Sequence, residues 1–243
     1  MKTKIKQLWL CAIMMCTFIG TSVVFVSCGD DEDEVTPGGG NGNAPSGVTA
    51  VDLGLPSGTL WANMNVGANS EEAPGNYFAW GETEPLKTNF SWYTYKWCNG
   101  SETTLTKYNT DSSYGTVDNK TELDLEDDAA YVNWGSSWRM PSGAQFDELI
   151  NSSYTTTEWT TQNGVKGRKI TSKSNGNSIF LPAAGFRDTS LYFAGSYGYY
   201  WSRTLGTVSP SSAWYLYFYS DYVYTYDDYR CYGRSVRPVR LSE

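Results

Sequence analysis

The side chains with the most chemistry to offer are phenols. Twelve of the 19 tyrosines fall within the 46 residues from Thr189 to Arg234. In Trp214-Tyr-Leu-Tyr-Phe-Tyr219, Tyr215, Tyr217 and Tyr219 alternate with Leu216 and Phe218. Just beyond, Tyr222, Tyr224 and Tyr226 alternate with Val223 and Thr225. A period of two sends successive side chains to opposite faces of a strand. One face is therefore expected in the core. The other presents a row of phenols, with Ser220, Asp221, Asp227 and Asp228 beside it and Tyr192, Tyr197, Tyr229 and Tyr232 extending it. Tyrosine offers a large amphipathic area for little lost side-chain entropy, and with Ser and small polar residues it makes up antibody binding loops. The chemistry implied is recognition of a protein or glycan ligand, and an exposed row of this size is a binding patch. Cross-strand pairing in an ordinary sheet also favours aromatics. It does not explain what is missing: from Ser174 to Ser242 there is no Lys, Gln, Met or Glu, and from Ser178 no Asn.

Catalytic constellations are poorly represented. The chain has no histidine, so Ser-His-Asp and Cys-His pairs, His-ligated zinc and a histidine base are excluded. Paired carboxylates occur (Glu82 and Glu84, Asp227 and Asp228) at spacings that single out no acid/base pair. Asp127 and Asp128 are read as acids at a helix N-terminus rather than metal ligands. Glu-Pro-Asn, Gln-Pro-Asp and Trp-Asn-Asp, which a calcium-dependent sugar site would want, are absent; the nearest string is Thr83-Glu-Pro-Leu86. No catalytic residue, metal or cofactor is expected, and the chain is read as a non-enzyme. A net charge of −8 argues against nucleic acid, which demands clustered Lys and Arg.

The elements that position the phenols lie behind an export signal. Lys2, Lys4 and Lys6 precede an apolar run from Leu8 to Val26, close to the roughly 20 residues that span a bilayer. Phe25-Val26-Ser27-Cys28 resembles a bacterial lipobox, with phenylalanine where leucine is usual. Residues 1–27 are thus expected to be a lipoprotein signal peptide and Cys28 the lipidated N-terminus; an uncleaved anchor is the other reading. The mature chain would keep 15 basic against 26 acidic residues, a charge of −11. Residues 28–47 form a tether that opens with Asp30-Asp-Glu-Asp-Glu34 and continues through Gly-rich sequence. Such an acidic run is a solvated spacer, or, as it resembles in Bacteroidetes lipoproteins, a surface-export address. We expect an outer-membrane lipoprotein facing the cell exterior, held to the membrane by that lipid. Of the remaining cysteines only Cys98 and Cys231 could pair, which an oxidising compartment permits.

Residues 48–243 form the folded domain, with the Tyr-rich segment at about 188–234. Ser142-Gly-Ala-Gln145 reads as a capping box, followed by Phe146, Leu149 and Ile150 at helical spacing. A shorter helix is expected near 127–132. Short strands are expected at 59–62, 76–80, 169–171 and 178–181, an α+β pattern with long loops.

The stretch Val51-Asp-Leu-Gly-Leu-Pro-Ser-Gly-Thr-Leu-Trp-Ala-Asn-Met-Asn-Val-Gly67 resembles the opening of the Fibrobacter succinogenes major paralogous domain. Tyr77-Phe-Ala-Trp-Gly-Glu82, Trp138-Arg-Met-Pro141, Leu181-Pro-Ala-Ala-Gly-Phe-Arg187, Tyr199-Tyr-Trp-Ser202 and Gly233-Arg-Ser-Val-Arg-Pro-Val239 resemble its later blocks, in order. The resemblance implies a C-type-lectin-like fold, with small mixed or antiparallel sheets, two short helices and long loops. Trp61, Trp80, Trp134, Trp138 and Trp201 would be core aromatics. Arg139, Arg187 and Arg237 would tie loop carbonyls and carboxylates together.

Relatives in that family often serve as targets of diversity-generating retroelements, which randomise adenines, commonly in Asn codons of the form AAC. Randomising the first two bases yields Tyr, Ser, Asp, Cys, Phe, Leu and Thr, among others. It yields no Lys, Glu, Gln, Met or Trp. The missing set matches apart from Trp201 and Trp214, which would be framework. Tyr192, Tyr197, Tyr215, Tyr217, Tyr219, Tyr222, Tyr224, Tyr226, Tyr229, Tyr232 and Cys231 would then be exposed and variable. A fixed-specificity lectin or adhesin stacking sugars on tyrosines is the alternative. A formylglycine-generating-type oxidase is disfavoured, because such enzymes use a close pair of cysteines near the C-terminus and only Cys231 lies there.

Overall fold

The computed structural model describes residues 44–85 and 88–241. The signal segment, Cys28 and most of the tether lie outside the described residues. Among the described residues no helix is long and apolar enough to cross a membrane.

Among the described residues there are four small sheets, all of whose strand pairings are antiparallel, and two short α-helices. The chain opens with β1 (Ala50–Asp52) and β2 (Thr59–Ala62). Helix α1 (Ala129–Trp134) and helix α2 (Gly143–Leu149) follow after long loops. A three-stranded meander comes next: β3 (Thr155–Gln162), β4 (Val165–Ser172) and β5 (Ser178–Pro182). The hairpin β6 (Phe186–Arg187) with β7 (Leu191–Tyr192) leads into β8 (Gly198–Leu205), β9 (Ser212–Phe218) and β10 (Val223–Tyr229). The last strand, β11 (Val239–Leu241), returns to pair with β2. The α+β class and the small sheets are as expected. Residues 76–80 differ: they form no strand, and Phe78 makes only a single bridge to Arg234. That segment is held by backbone bonds to the 230–234 loop, not by a ladder.

Local chemistry accounts for the helix starts. Ser142 Oγ accepts from Gln145 N–H while Gln145 Oε1 accepts from Ser142 N–H, so the capping box closes in both directions. Asp128 caps α1 by accepting from the N–H groups of Ala130 and Tyr131, and it also receives Met140 N–H. Asp127 has another role: its carboxylate accepts from Lys107 Nζ at 2.6 Å and from the Tyr108 hydroxyl at 2.6 Å.

Two apolar clusters flank β8 and β9. One holds Trp80, Trp134, Trp138, Trp201, Tyr199 and Tyr215; the other holds Trp61, Phe146, Tyr200, Leu216 and Phe218. All five tryptophans expected in the core are buried. Arg237 is buried as well and donates to Asn65 Oδ1 and to the carbonyls of Ala62, Asn63 and Phe180, closing the seam between β2 and β5. Arg139 binds the carbonyls of Ser136 and Trp138, whereas Arg187 lies over the Tyr77 ring.

Candidate ligand-binding face

The β8–β9–β10 register arranges the aromatics in rows. Tyr217 on β9 stands opposite Tyr199 on β8 and Tyr224 on β10; Tyr215 stands opposite Trp201 and Tyr226. These six residues share one face of the sheet. The opposite face carries Tyr200, Leu216, Phe218, Val223 and Thr225, and Thr225 reaches Asp147 of α2 with a 2.7 Å hydrogen bond. The alternation read from the sequence is therefore the alternation of the sheet.

Ring contacts continue beyond the rows. Tyr197 stacks on Tyr217 at 5.8 Å and touches Tyr219 at 5.5 Å; Tyr219 touches Tyr222 at 5.6 Å. Tyr217 meets Tyr224 edge-on at 5.0 Å. Phe186 joins Tyr192, Tyr199 and Tyr232, and Tyr232 joins Tyr229. All ten expected tyrosines thus belong to one connected aromatic network. Offset and edge-on pairs of this kind add about 0.5–1.5 kcal/mol each beyond burial.

Exposure grades across the network. Tyr222 at 61% and Tyr226 at 57% are the most open, and Tyr192, Tyr224 and Tyr229 are also exposed. Tyr197, Tyr217, Tyr219 and Tyr232 are half-buried. Tyr215 departs from expectation: it is 6% exposed, because Arg234 from the last loop lies against its ring at 3.6 Å. Cys231 departs likewise and is buried with Tyr77, Phe90 and Tyr95. It forms no disulfide with Cys98.

The polar members divide. Ser220 and Asp221 sit exposed in the β9–β10 turn. Buried Arg168 of β4 holds that turn by donating to the carbonyls of Tyr219 (2.6 Å) and Ser220 (3.2 Å). Asp228 lies on the tyrosine face but is committed to Arg234 at 2.5 Å. Asp227 stands opposite Trp214, on the face away from the tyrosines. Its carboxyl is pushed up, by burial first and then by the charge of Asp228. Burial, reinforced by Tyr224 and Tyr197, pushes the Tyr217 phenol up to about 12. Burial also pushes Tyr215 up to about 12 against the opposing charge of Arg234.

Four contributors escaped the sequence reading. Leu191 and Phe193 are exposed at the network's edge. Phe186 is its hub, and Trp92 contacts Tyr229 at 5.7 Å from a distant loop. Leu191 and Phe193 carry a signal, since they fall inside the Lys- and Glu-free segment; Trp92 carries none. Among the described residues, Asp124, Glu126 and Asp127 could together hold a metal ion. Lys107 already bridges Asp124 and Asp127 at 2.7 and 2.6 Å, and Lys120 adds a second pair to Asp124. The cluster is an ion-pair network rather than a vacant cation cage.

A family model described as a domain of unknown function (DUF8237) matches residues 155–239, from the first strand of the β3–β5 meander to the start of β11. No curated protein and no solved structure matches the chain.

Proposed function

We propose that this chain is a surface-exposed lipoprotein with a C-type-lectin-like domain, displaying the β8–β10 tyrosine face to a protein or glycan ligand. We further propose that a retroelement diversifies the face. The observation that carries the reading is the coincidence of two independent patterns. The segment without Lys, Glu, Gln and Met is also the segment whose rings join into one network with its open edge at Tyr222, Tyr224 and Tyr226. Ordinary solvent-facing strands carry Lys and Glu; a recognition surface keeps rigid amphipathic rings. Within this reading Tyr215 and Cys231 join Trp201, Leu216 and Phe218 as framework, because a varied residue must not be one on which the core depends. The varied set is Tyr192, Tyr197, Tyr217, Tyr219, Tyr222, Tyr224, Tyr226, Tyr229 and Tyr232, with Ser220 and Asp221 at the turn.

The test is to sequence this gene and its flanks from many cells of one population. A reverse transcriptase gene nearby, with a near-copy of the 188–234 coding segment differing only at adenines, is the expected result. Identical codons in every cell and no such copy would overturn diversification. They would leave a fixed lectin or adhesin, to be pursued on glycan arrays.

A further inference from the structure

At the other end of β8 from the tyrosines, a cavity of about 640 Å³ opens among the 122–128 loop, the segment between the helices, Arg203 and β11. Its size is that of small-molecule sites, roughly 300–1,000 Å³. Three guanidiniums line it, from Arg139, Arg203 and Arg240, against two acids, Glu122 and Asp128. In a chain with eight more acids than bases, that local excess of positive charge stands out.

The acids are spoken for. Asp128 spends its carboxylate on the N–H groups of Ala130, Tyr131 and Met140. Glu122 pairs with Arg203 Nε at 3.0 Å. The arginines are less fully committed. Arg203 uses Nε and Nη1, the latter donating to the Met140 carbonyl and Gln145 Oε1. Arg139 hydrogen-bonds through Nη1 alone among the described residues, and its guanidinium lies over the Tyr131 ring at 4.3 Å. Arg240 makes no side-chain hydrogen bond and no ion pair among the described residues. Its guanidinium rests near the Trp138 ring at 5.5 Å, and its buried Nε has no partner. That Nε is closed to solvent, so a molecule in the cavity would meet the terminal nitrogens of Arg240, which make no hydrogen bond among the described residues.

We propose that this cavity binds a small monocarboxylate about the size of a hexose acid, with its carboxylate held by Arg240 and Arg139. The excess of one positive charge suits a monoanion better than a phosphate dianion, and the planar guanidinium fork matches carboxylate geometry. Ser136 and Ser137 on the cavity wall can meet hydroxyls. The site is independent of the tyrosine face and of its diversification.

Isothermal titration calorimetry on the full mature chain in detergent tests this, using D-glucuronate, methyl glucuronoside as a mimic of a glycan chain end, D-glucose and inorganic phosphate. Glucuronate is expected to bind saturably at one site per chain, weakening with added NaCl, while glucose gives no heat. Binding of the methyl glucuronoside as well assigns the site to chain ends; glucuronate alone assigns it to the free acid. Arg240→Gln is expected to weaken binding about tenfold, the loss of one charge-assisted hydrogen bond, and Tyr224→Ser to leave it unchanged. No saturable heat with glucuronate up to about 10 mM, preference for phosphate, or an undiminished Arg240→Gln affinity would overturn the proposal. If Arg240→Gln does not fold, Arg139→Gln is read in the same way.

Discussion

The guanidinium carbon of Arg234 sits 3.6 Å from the ring centroid of Tyr215, and both side chains are buried. The same guanidinium lies 4.2 Å from the Trp201 ring and pairs with Asp228. A loop arginine thus caps one end of the phenol row and turns the tyrosine at that end into core.

That contact separates tyrosines that look alike in sequence. Tyr215→Ser is expected to cost about 3 kcal/mol, as large-to-small core changes do. Tyr222→Ser and Tyr226→Ser are expected to stay within about 0.5 kcal/mol of the parent. Urea midpoints of the three variants decide the matter. Equal losses at all three positions would mean that the whole row is structural.

Gly198 makes room for Phe218. A Cβ at position 198 would lie 2.1 Å from Phe218 Cζ, across the β8–β9 ladder. Gly198→Ala is expected to destabilise by about 1–3 kcal/mol through overpacking, and adding Phe218→Leu should recover part of that loss. Additive losses in the double variant would show that the two positions do not compete for the same space.

Alkali should loosen the tyrosine sheet. The phenols of Tyr215 and Tyr217 are pushed up to about 12, whereas an unfolded tyrosine titrates near 10. The folded state holds these protons more tightly, so their contribution is full below about pH 10 and lost as pH rises through 12. Tyr217→Phe is expected to flatten the fall in denaturation midpoint between pH 10 and 12. An unchanged slope would assign the alkaline loss to other groups.

Asp128 should respond in the mildly acidic range. Burial pushes its carboxyl up to about 6, against the pull of its backbone donors, while the unfolded chain titrates near 3.8. Its folded pKa is raised, so this contribution to stability is complete below about pH 4 and disappears as pH rises through 6. Denaturation midpoints measured from pH 4 to pH 7 should carry that downward component in the parent and lose it in Asp128→Asn. Asp124 and Asp118 are held below the usual carboxylate range, so their effects fall below this window.

Calcium should change nothing. The carboxylates that could hold an ion are bridged by Lys107 and Lys120. The melting midpoint is expected to be the same in millimolar CaCl2 and in EDTA. A rise with calcium that Asp127→Asn abolishes would show that the ion displaces the lysines.

Local codes were legible from the chain alone. The capping box at Ser142 and Gln145, strand β2 at 59–62, and the inward Leu216 and Phe218 follow from spacing and residue type. Such features are set by neighbours within a few residues, where periodicity and hydrogen-bond geometry act directly. The concentration of tyrosine in one segment was legible too, because it is a matter of composition.

Long-range closure decided the rest. Tyr215 and Tyr217 share the same alternation, and only the return of the Arg234 loop buries one more deeply than the other. Residues 76–80 have the composition of a strand, yet the loop beside them offers one bridge and no ladder. Arg139, Arg203 and Arg240 are scattered over the sequence and meet at one cavity. Burial and ion pairing depend on which distant segments come to rest against each other, and no local period encodes that.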